Sequence, residues 1–153
     1  MSSGPEGKLI YTVNMGKPLI IMMFSLMLTL AAAGQAKMTT TKSGLQYADL
    51  KVGTGDVAMK GNTVSVNYTG WFYMDGKRGS KFDSSEPGKP LQFKVGAHQV
   101  INGWEEGIEG MKVGGKRELI IPPDLAYGAR GYPGIIPPNS TLNFEVELVA
   151  ISK

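Results

Sequence analysis

Near its C-terminal end the chain alternates without a break: Leu142, Phe144, Val146 and Leu148 are apolar, and Asn143, Glu145 and Glu147 between them are polar. Strand side chains point to opposite faces with period two, so this pattern buries one face as a β-strand. As a helix it would scatter the same residues around the axis. Val64, Val66 and Tyr68 alternate in the same way with Thr63, Ser65 and Asn67, and Leu91, Phe93 and Val95 alternate with Gln92 and Lys94. Residues 45–50 and 116–121 are shorter strand candidates. Gly-rich breaks separate all of these segments, as hairpins and loops require.

One segment has the other period. Ile101, Trp104, Ile108 and Met111 fall three and four apart and make one apolar helical face. Asn102 and Glu105 have the spacing of a capping box, and Glu105 and Glu106 suit the N-terminal end of a helix dipole. Gly107 costs a helix about 1 kcal/mol relative to Ala, which predicts close packing on the sheet. The expected fold class is α+β: an antiparallel β-sheet wrapped around one short α-helix.

With 153 residues, 42% of them hydrophobic, the chain can build one domain and an appendage, not two domains. The net charge of +3 is spread over both signs, without the clustered Lys and Arg of a nucleic-acid surface. Having no Cys removes disulfides, thiol nucleophiles and thiolate metal sites together. His98 is the single histidine, and it is expected on the surface. Together with the lack of a phosphate-binding Gly-Lys-Ser/Thr loop, this predicts no metal and no cofactor.

Residues 19–33 form an apolar run interrupted by Ser25 and Thr29, with Lys17 before it and Ala31, Ala32, Ala33, Gly34 and Ala36 at its end. That is the order of a secretory signal peptide, and the run is shorter than the roughly 20 residues of a membrane-spanning helix. The predicted organisation is a signal peptide over residues 1–36, with Met15 a possible start, a polar lead-in over 37–44, and a folded domain over 45–153. Cleavage after Ala36 would export the domain to a periplasmic or other extracytoplasmic space. An uncleaved membrane anchor is the alternative. A monomer is the expected state, with no long dimerising helix before Leu45.

Tyr68, Phe82, Trp104, Tyr127 and Phe144 belong to five separate segments, and each taken alone is a core residue. The proline-rich stretch after Pro122 points elsewhere. PPDLAYG reads as a tight turn or short helix, and ARGYPGIIPPNS as a long loop with exposed Ile135 and Ile136. Proline stiffens such a loop, and a rigid apolar loop more often covers a groove than fills a core. Asp83, before two serines, reads by itself as a turn residue capping a backbone N–H.

VSVNYTG, KFDSS, VINGWEEGIEGMKVG, LIIPPDLAYG and GYPGIIPPNSTLNFEVEL occur in one order and spacing. Together they resemble the FKBP-type peptidyl-prolyl cis–trans isomerases across nearly all of residues 45–151. The resemblance implies non-covalent rotation of X–Pro bonds in proline-containing polypeptides, and sensitivity to macrolide inhibitors. By the same resemblance Trp104 is the pocket floor, with Tyr68, Phe82, Val100, Ile101 and Phe144 as walls. Asp83 stands at the mouth, held by Tyr68. The Ile101 N–H and the Tyr127 hydroxyl donate to substrate carbonyls, while Ile135 and Ile136 belong to the covering loop.

The chain departs from the common family pattern at several points. Leu91 replaces a pocket aromatic, Gln99 an acidic residue whose backbone carbonyl makes the contact, and Tyr132 a histidine of the covering loop. Residues 84–90 run one short and lack a basic neighbour for Asp83, and residues 76–80 include extra positions. These changes imply an altered ligand range. A proline-directed binding module or chaperone without isomerase activity is the competing function on the same fold.

Overall fold

The computed structural model describes residues 36–153. The predicted signal peptide, including the 19–33 run and Met15, lies outside the described residues apart from Ala36. Seven strands follow in chain order: β1 (Thr39–Thr40), β2 (Gln46–Lys51), β3 (Thr63–Met74), β4 (Lys77–Ser84), β5 (Leu91–Lys94), β6 (Lys116–Ile121) and β7 (Leu142–Ser152). Helix α1 (Asn102–Ile108) lies between β5 and β6, and a single 3-10 turn (Pro123–Leu125) follows β6.

All strands pair antiparallel in the order β1-β2-β6-β7-β3-β4, and β5 joins β3. The fold class is the predicted one, an antiparallel sheet around one short helix. The polar lead-in also takes part: Thr39 and Thr40 extend the sheet by pairing with Tyr47 and Gln46. Strand β7 keeps its alternation in the fold, with Leu142, Phe144, Val146 and Leu148 all buried. Val64, Val66, Phe93, Trp104, Ile108, Met111 and Leu119 are among the residues that pack with them in the core.

Helix α1 lies close on β6 because its glycines permit it. A Cβ on Gly103 would overlap the Ile121 side chain, and one on Gly107 would come to 2.6 Å from Leu119 Cδ2. In an exposed helix Gly→Ala would stabilise. Here Gly107→Ala is expected to destabilise by about 1–3 kcal/mol, because fully buried Leu119 has no room to yield. Thermal unfolding checks the sign: a raised Tm would mean the helix stands farther from β6.

Three expectations change. Ile101, not Asn102, occupies the N-cap position, and no side chain caps the helix. Glu105 turns away from the predicted capping box, and its Oε2 accepts the Gly96 N–H at 2.5 Å. The β5–α1 connection offers that otherwise unpaired donor at closer range.

Ile136 is not an exposed loop residue but is 5% exposed and part of the core. Tyr132 and Ile136 exchange backbone hydrogen bonds at 2.8 Å, which folds the loop on itself and turns Ile136 inward. Asn143, predicted to face solvent, is wholly buried. Arg78 covers it, donating Nε–H to Asn143 Oδ1 at 2.6 Å while its guanidinium lies 3.8 Å from the Trp71 ring centroid. The Asn143 amide in turn donates to Glu118 Oε1 at 2.9 Å and to the Leu119 carbonyl at 3.3 Å.

Candidate active site

The site starts from a mismatch between β3 and β4. Gly70 pairs with Asp83 but Trp71 pairs with Lys81, so Phe82 has no partner and forms a β-bulge. Bulges bend a strand and re-aim its side chains. Here Phe82 turns against Phe144, with ring centroids 5.6 Å apart at 85°. Gly70 makes this possible, since a Cβ there would lie 2.7 Å from Phe144 Cε1 and 2.9 Å from Phe82 Cζ.

Phe144 is held in register between Gly70 of β3 and Leu119 of β6. Trp104 of α1 meets it edge to face at 5.3 Å and 87°, and Tyr68 meets Trp104 at 4.9 Å and 78°. Perpendicular rings set positive edges on negative faces, the favoured aromatic geometry. Sheet and helix therefore fix the rings as a rigid set.

Above them opens a cavity of about 160 Å³, sized for a single ring rather than a folded surface. Tyr68, Phe82, Trp104, Phe144, Val100 and Ile101 line it, joined by Leu91, Gln99, Asp83 and Tyr127 at the rim. Ten residues from separate strands, the helix and its approach, and the turn after β6 thus converge, and nine of them are predicted site residues. Leu91 is 39% exposed and leaves its side of the pocket open and aliphatic.

The polar groups are arranged sparingly. Tyr68 donates its hydroxyl to Asp83 Oδ2 at 2.7 Å, and the Ser84 N–H donates to Asp83 Oδ1 at 2.8 Å. Asp83 is therefore the partner of both Tyr68 and a backbone N–H, but it sits near the end of β4, paired with Gly70, and not in a turn. Gln99 Oε1 accepts the Lys94 N–H at 2.9 Å, so its side chain closes the turn and stays out of the pocket's chemistry. Among the described residues neither the Ile101 N–H nor the Tyr127 hydroxyl has an acceptor, while the Ile101 carbonyl accepts the Trp104 and Glu105 N–H groups that start α1. The buried Trp104 indole N–H likewise has no partner among them.

Burial raises the Tyr68 hydroxyl well above the ordinary tyrosine range, and the hydrogen bond to Asp83 and its charge push the same way. Tyr127 is raised by burial first and then by the Asp83 charge. Both are neutral donors across the working pH range. A tyrosine whose pKa is raised by folding contributes stability in full below its unfolded value of about 10, and loses it as pH rises toward the folded value. The stability of the wild type is thus expected to fall more steeply above pH 10 than that of Tyr68→Phe. Urea unfolding at pH 8 and pH 11 checks this; parallel losses in both proteins would contradict it.

Three predicted residues lie outside the cavity. Tyr132 packs on Tyr127 at 5.7 Å and so braces the rim, Ile135 is 53% exposed, and Ile136 belongs to the core. Three unpredicted residues support the site. Gly70 leaves room for the Phe144 and Phe82 rings, Phe72 backs Phe82 at 5.0 Å, and Ser85 Oγ accepts the Tyr68 N–H at 3.0 Å. The glycine carried a readable signal, because Gly inside an alternating strand marks close approach.

A family model described as FKBP-type peptidyl-prolyl cis-trans isomerase matches residues 54–149. The chain belongs to this family. Its activity is that of the FKBP-type isomerases, cis–trans isomerisation of X–Pro bonds, and the reading as an inactive binding module is not favoured. The FK506-binding protein of Neisseria meningitidis serogroup B is 50% identical over 109 residues, covering 71% of this chain and 96% of that one. FK506-binding protein 2 of Candida glabrata is 57% identical over 97 residues, covering 63% and 69%. Among solved structures, the FKBP fold recurs in AtFKBP13 (41% identity, TM-score 0.67, covering 76% of this chain and 99% of that one) and in FkpA from Escherichia coli (45%, 0.66, 78% and 54%).

Proposed function

We propose that the aromatic cavity is where isomerisation takes place, with the proline ring seated on Trp104 between Tyr68, Phe82, Val100 and Phe144. The observation that carries this reading is the pairing of a perpendicular ring cage with two unsatisfied donors, the Ile101 N–H and the Tyr127 hydroxyl, at its rim. The donors take the carbonyls flanking the proline and hold the chain while the X–Pro bond turns.

The chemistry needs no nucleophile. Amide resonance keeps the bond planar, with a barrier of about 18–20 kcal/mol, and resonance places negative charge on oxygen and positive on nitrogen. Twisting the bond reduces that separation. An apolar, water-poor site therefore disfavours the planar state relative to the twisted one. Each 1.36 kcal/mol of such preference speeds rotation about tenfold. Both Asp83 oxygens already accept hydrogen bonds, so Asp83 orients Tyr68 and shapes the mouth rather than moving a proton.

The substrates are proline-containing segments of folding polypeptides, where X–Pro rotation is slow enough to limit the rate. Macrolides of the kind that name the FK506-binding relatives compete for the same cavity, at an affinity altered by aliphatic Leu91. Residues 1–36 act as a cleaved export signal, and a monomeric 45–153 domain with its lead-in works in an extracytoplasmic space. Among the described residues no helix is long and apolar enough to cross a membrane. A protease-coupled assay on a Leu-Pro peptide tests the site: acceleration by wild type that persists unchanged in folded Trp104→Ala would sink it. N-terminal sequencing of exported protein tests the signal, with Lys37 the expected first residue.

A further inference from the structure

A second cavity, of about 520 Å³, lies beyond Phe82 between the β3–β4 hairpin and the end of the covering loop. Phe72 and Met74 of β3, Ser80 of β4, and Pro137 and Pro138 of the loop are among its walls. The hairpin is extended by residues 76–80 and closes at Asp75 and Gly76, both with positive φ. A second register shift, between Trp71 and Tyr73, leaves Gly79 and Ser80 facing Phe72 alone. This second bulge lies at the cleft wall, and a bulge bends a strand and strengthens its twist there. On the other side the Tyr73 N–H donates to the Thr141 carbonyl at 3.0 Å and anchors the loop.

The cleft neighbours the prolyl cavity. Phe72 packs on Phe82, which walls that cavity, so one aromatic pair separates the two. Tyr68, Gly70, Phe72 and Met74 share one face of β3 at about 3.3 Å per residue, placing Phe72 and Met74 about 13 and 20 Å beyond Tyr68. An extended polypeptide covers that distance in about four to six residues. Phe72, Met74, Pro137 and Pro138 make the walls mostly apolar, with Tyr73, Ser80, Asn139, Ser140 and Thr141 adding neutral polar groups; Met74 is 67% exposed, and no charged side chain lines the cleft.

We infer that this cleft is a second substrate subsite, taking an aliphatic side chain about four to six residues from the proline in the same unfolded polypeptide. The inference rests on the reading of the aromatic cavity as the prolyl site. It makes the enzyme selective for proline near an apolar residue, the composition of unfolded segments that would later enter a core.

The test is a peptide series with a fixed Leu-Pro and a second Leu placed two to seven residues away on either side, in a Ser/Gly background. In wild type one placement at four to six residues is expected to raise kcat/KM about tenfold over the all-Ser/Gly peptide. Met74→Asp and Ser80→Trp, both at exposed positions, are expected to cut that ratio below about threefold, the first by charge and the second by filling the cleft. Equal acceleration of every peptide, or a ratio that survives both variants, would overturn the subsite alone. No acceleration of any peptide would overturn the prolyl-site reading and the subsite with it.

Discussion

Phe144→Ala is expected to lower kcat/KM for X–Pro isomerisation by about 100-fold, equivalent to about 2.7 kcal/mol of transition-state stabilisation. The ring is the one group that touches three other pocket aromatics: Trp104 at 5.3 Å, Phe82 at 5.6 Å and Tyr68 at 6.3 Å. Deleting it enlarges the cavity and frees all three to tilt, so the proline ring loses a defined seat. The same change removes a side chain that is 4% exposed, and such truncations cost about 3–5 kcal/mol of stability. Domains of this size are stable by about 5–15 kcal/mol, so the variant remains folded at low temperature, where activity is measured. Urea unfolding on the same preparation separates the two effects. Phe144→Leu, which keeps most of the volume but no flat face, is expected to recover more stability than activity. A folded Phe144→Ala with wild-type kcat/KM would remove the ring cage from the mechanism.

Gly70→Ala adds one carbon and is expected to act on the same cage from behind. Its Cβ would press on both Phe144 and Phe82, the second of which is already displaced by the bulge. Overpacking of this kind costs about 1–3 kcal/mol. The rings can relieve it only by moving into the cavity, so a drop of about tenfold or more in kcat/KM is expected, with KM raised. A control at Gly76 is informative, since a Cβ there meets nothing within 4 Å. Its φ of +73° makes Gly76→Ala mildly destabilising through the backbone alone, with the prolyl cavity unaltered. Equal activity losses in both variants would show that the Gly70 effect is general destabilisation and not pressure on the rings.

Much of this was legible in the sequence because it depended on periodicity. Leu142 to Leu148 had to be a strand with one buried face, and Trp104 had to sit on the apolar side of a short helix. Periodicity is silent about what one strand does to its neighbour. The bulge that aims Phe82 and the one beside the second cleft arise from register, which exists only once β3 and β4 pair. Asn143 looked solvent-facing because its burial comes from Arg78 on another strand. Ile136 looked exposed because the loop's return on itself is made by backbone hydrogen bonds that any side chains could accompany. The Asn102–Glu105 spacing fitted a capping box, yet the Gly96 N–H took the carboxylate. The site residues taken from the family resemblance were brought together wherever they lay on strands or the helix, and were dispersed in the covering loop.

Tyr68, Phe82, Trp104, Tyr127 and Phe144 come from five different parts of the chain, so the pocket is whole only when strands, helix and loop have all come together. An enzyme of this design is its own folding gauge. During refolding from denaturant, isomerase activity is expected to stay absent until the final cooperative step and then appear all at once, with no active intermediate. A chain that lacks any one of these elements is expected to expose sticky surface without turning over proline. The protein thus comes into service only as a finished molecule, and its catalytic rate counts finished molecules directly.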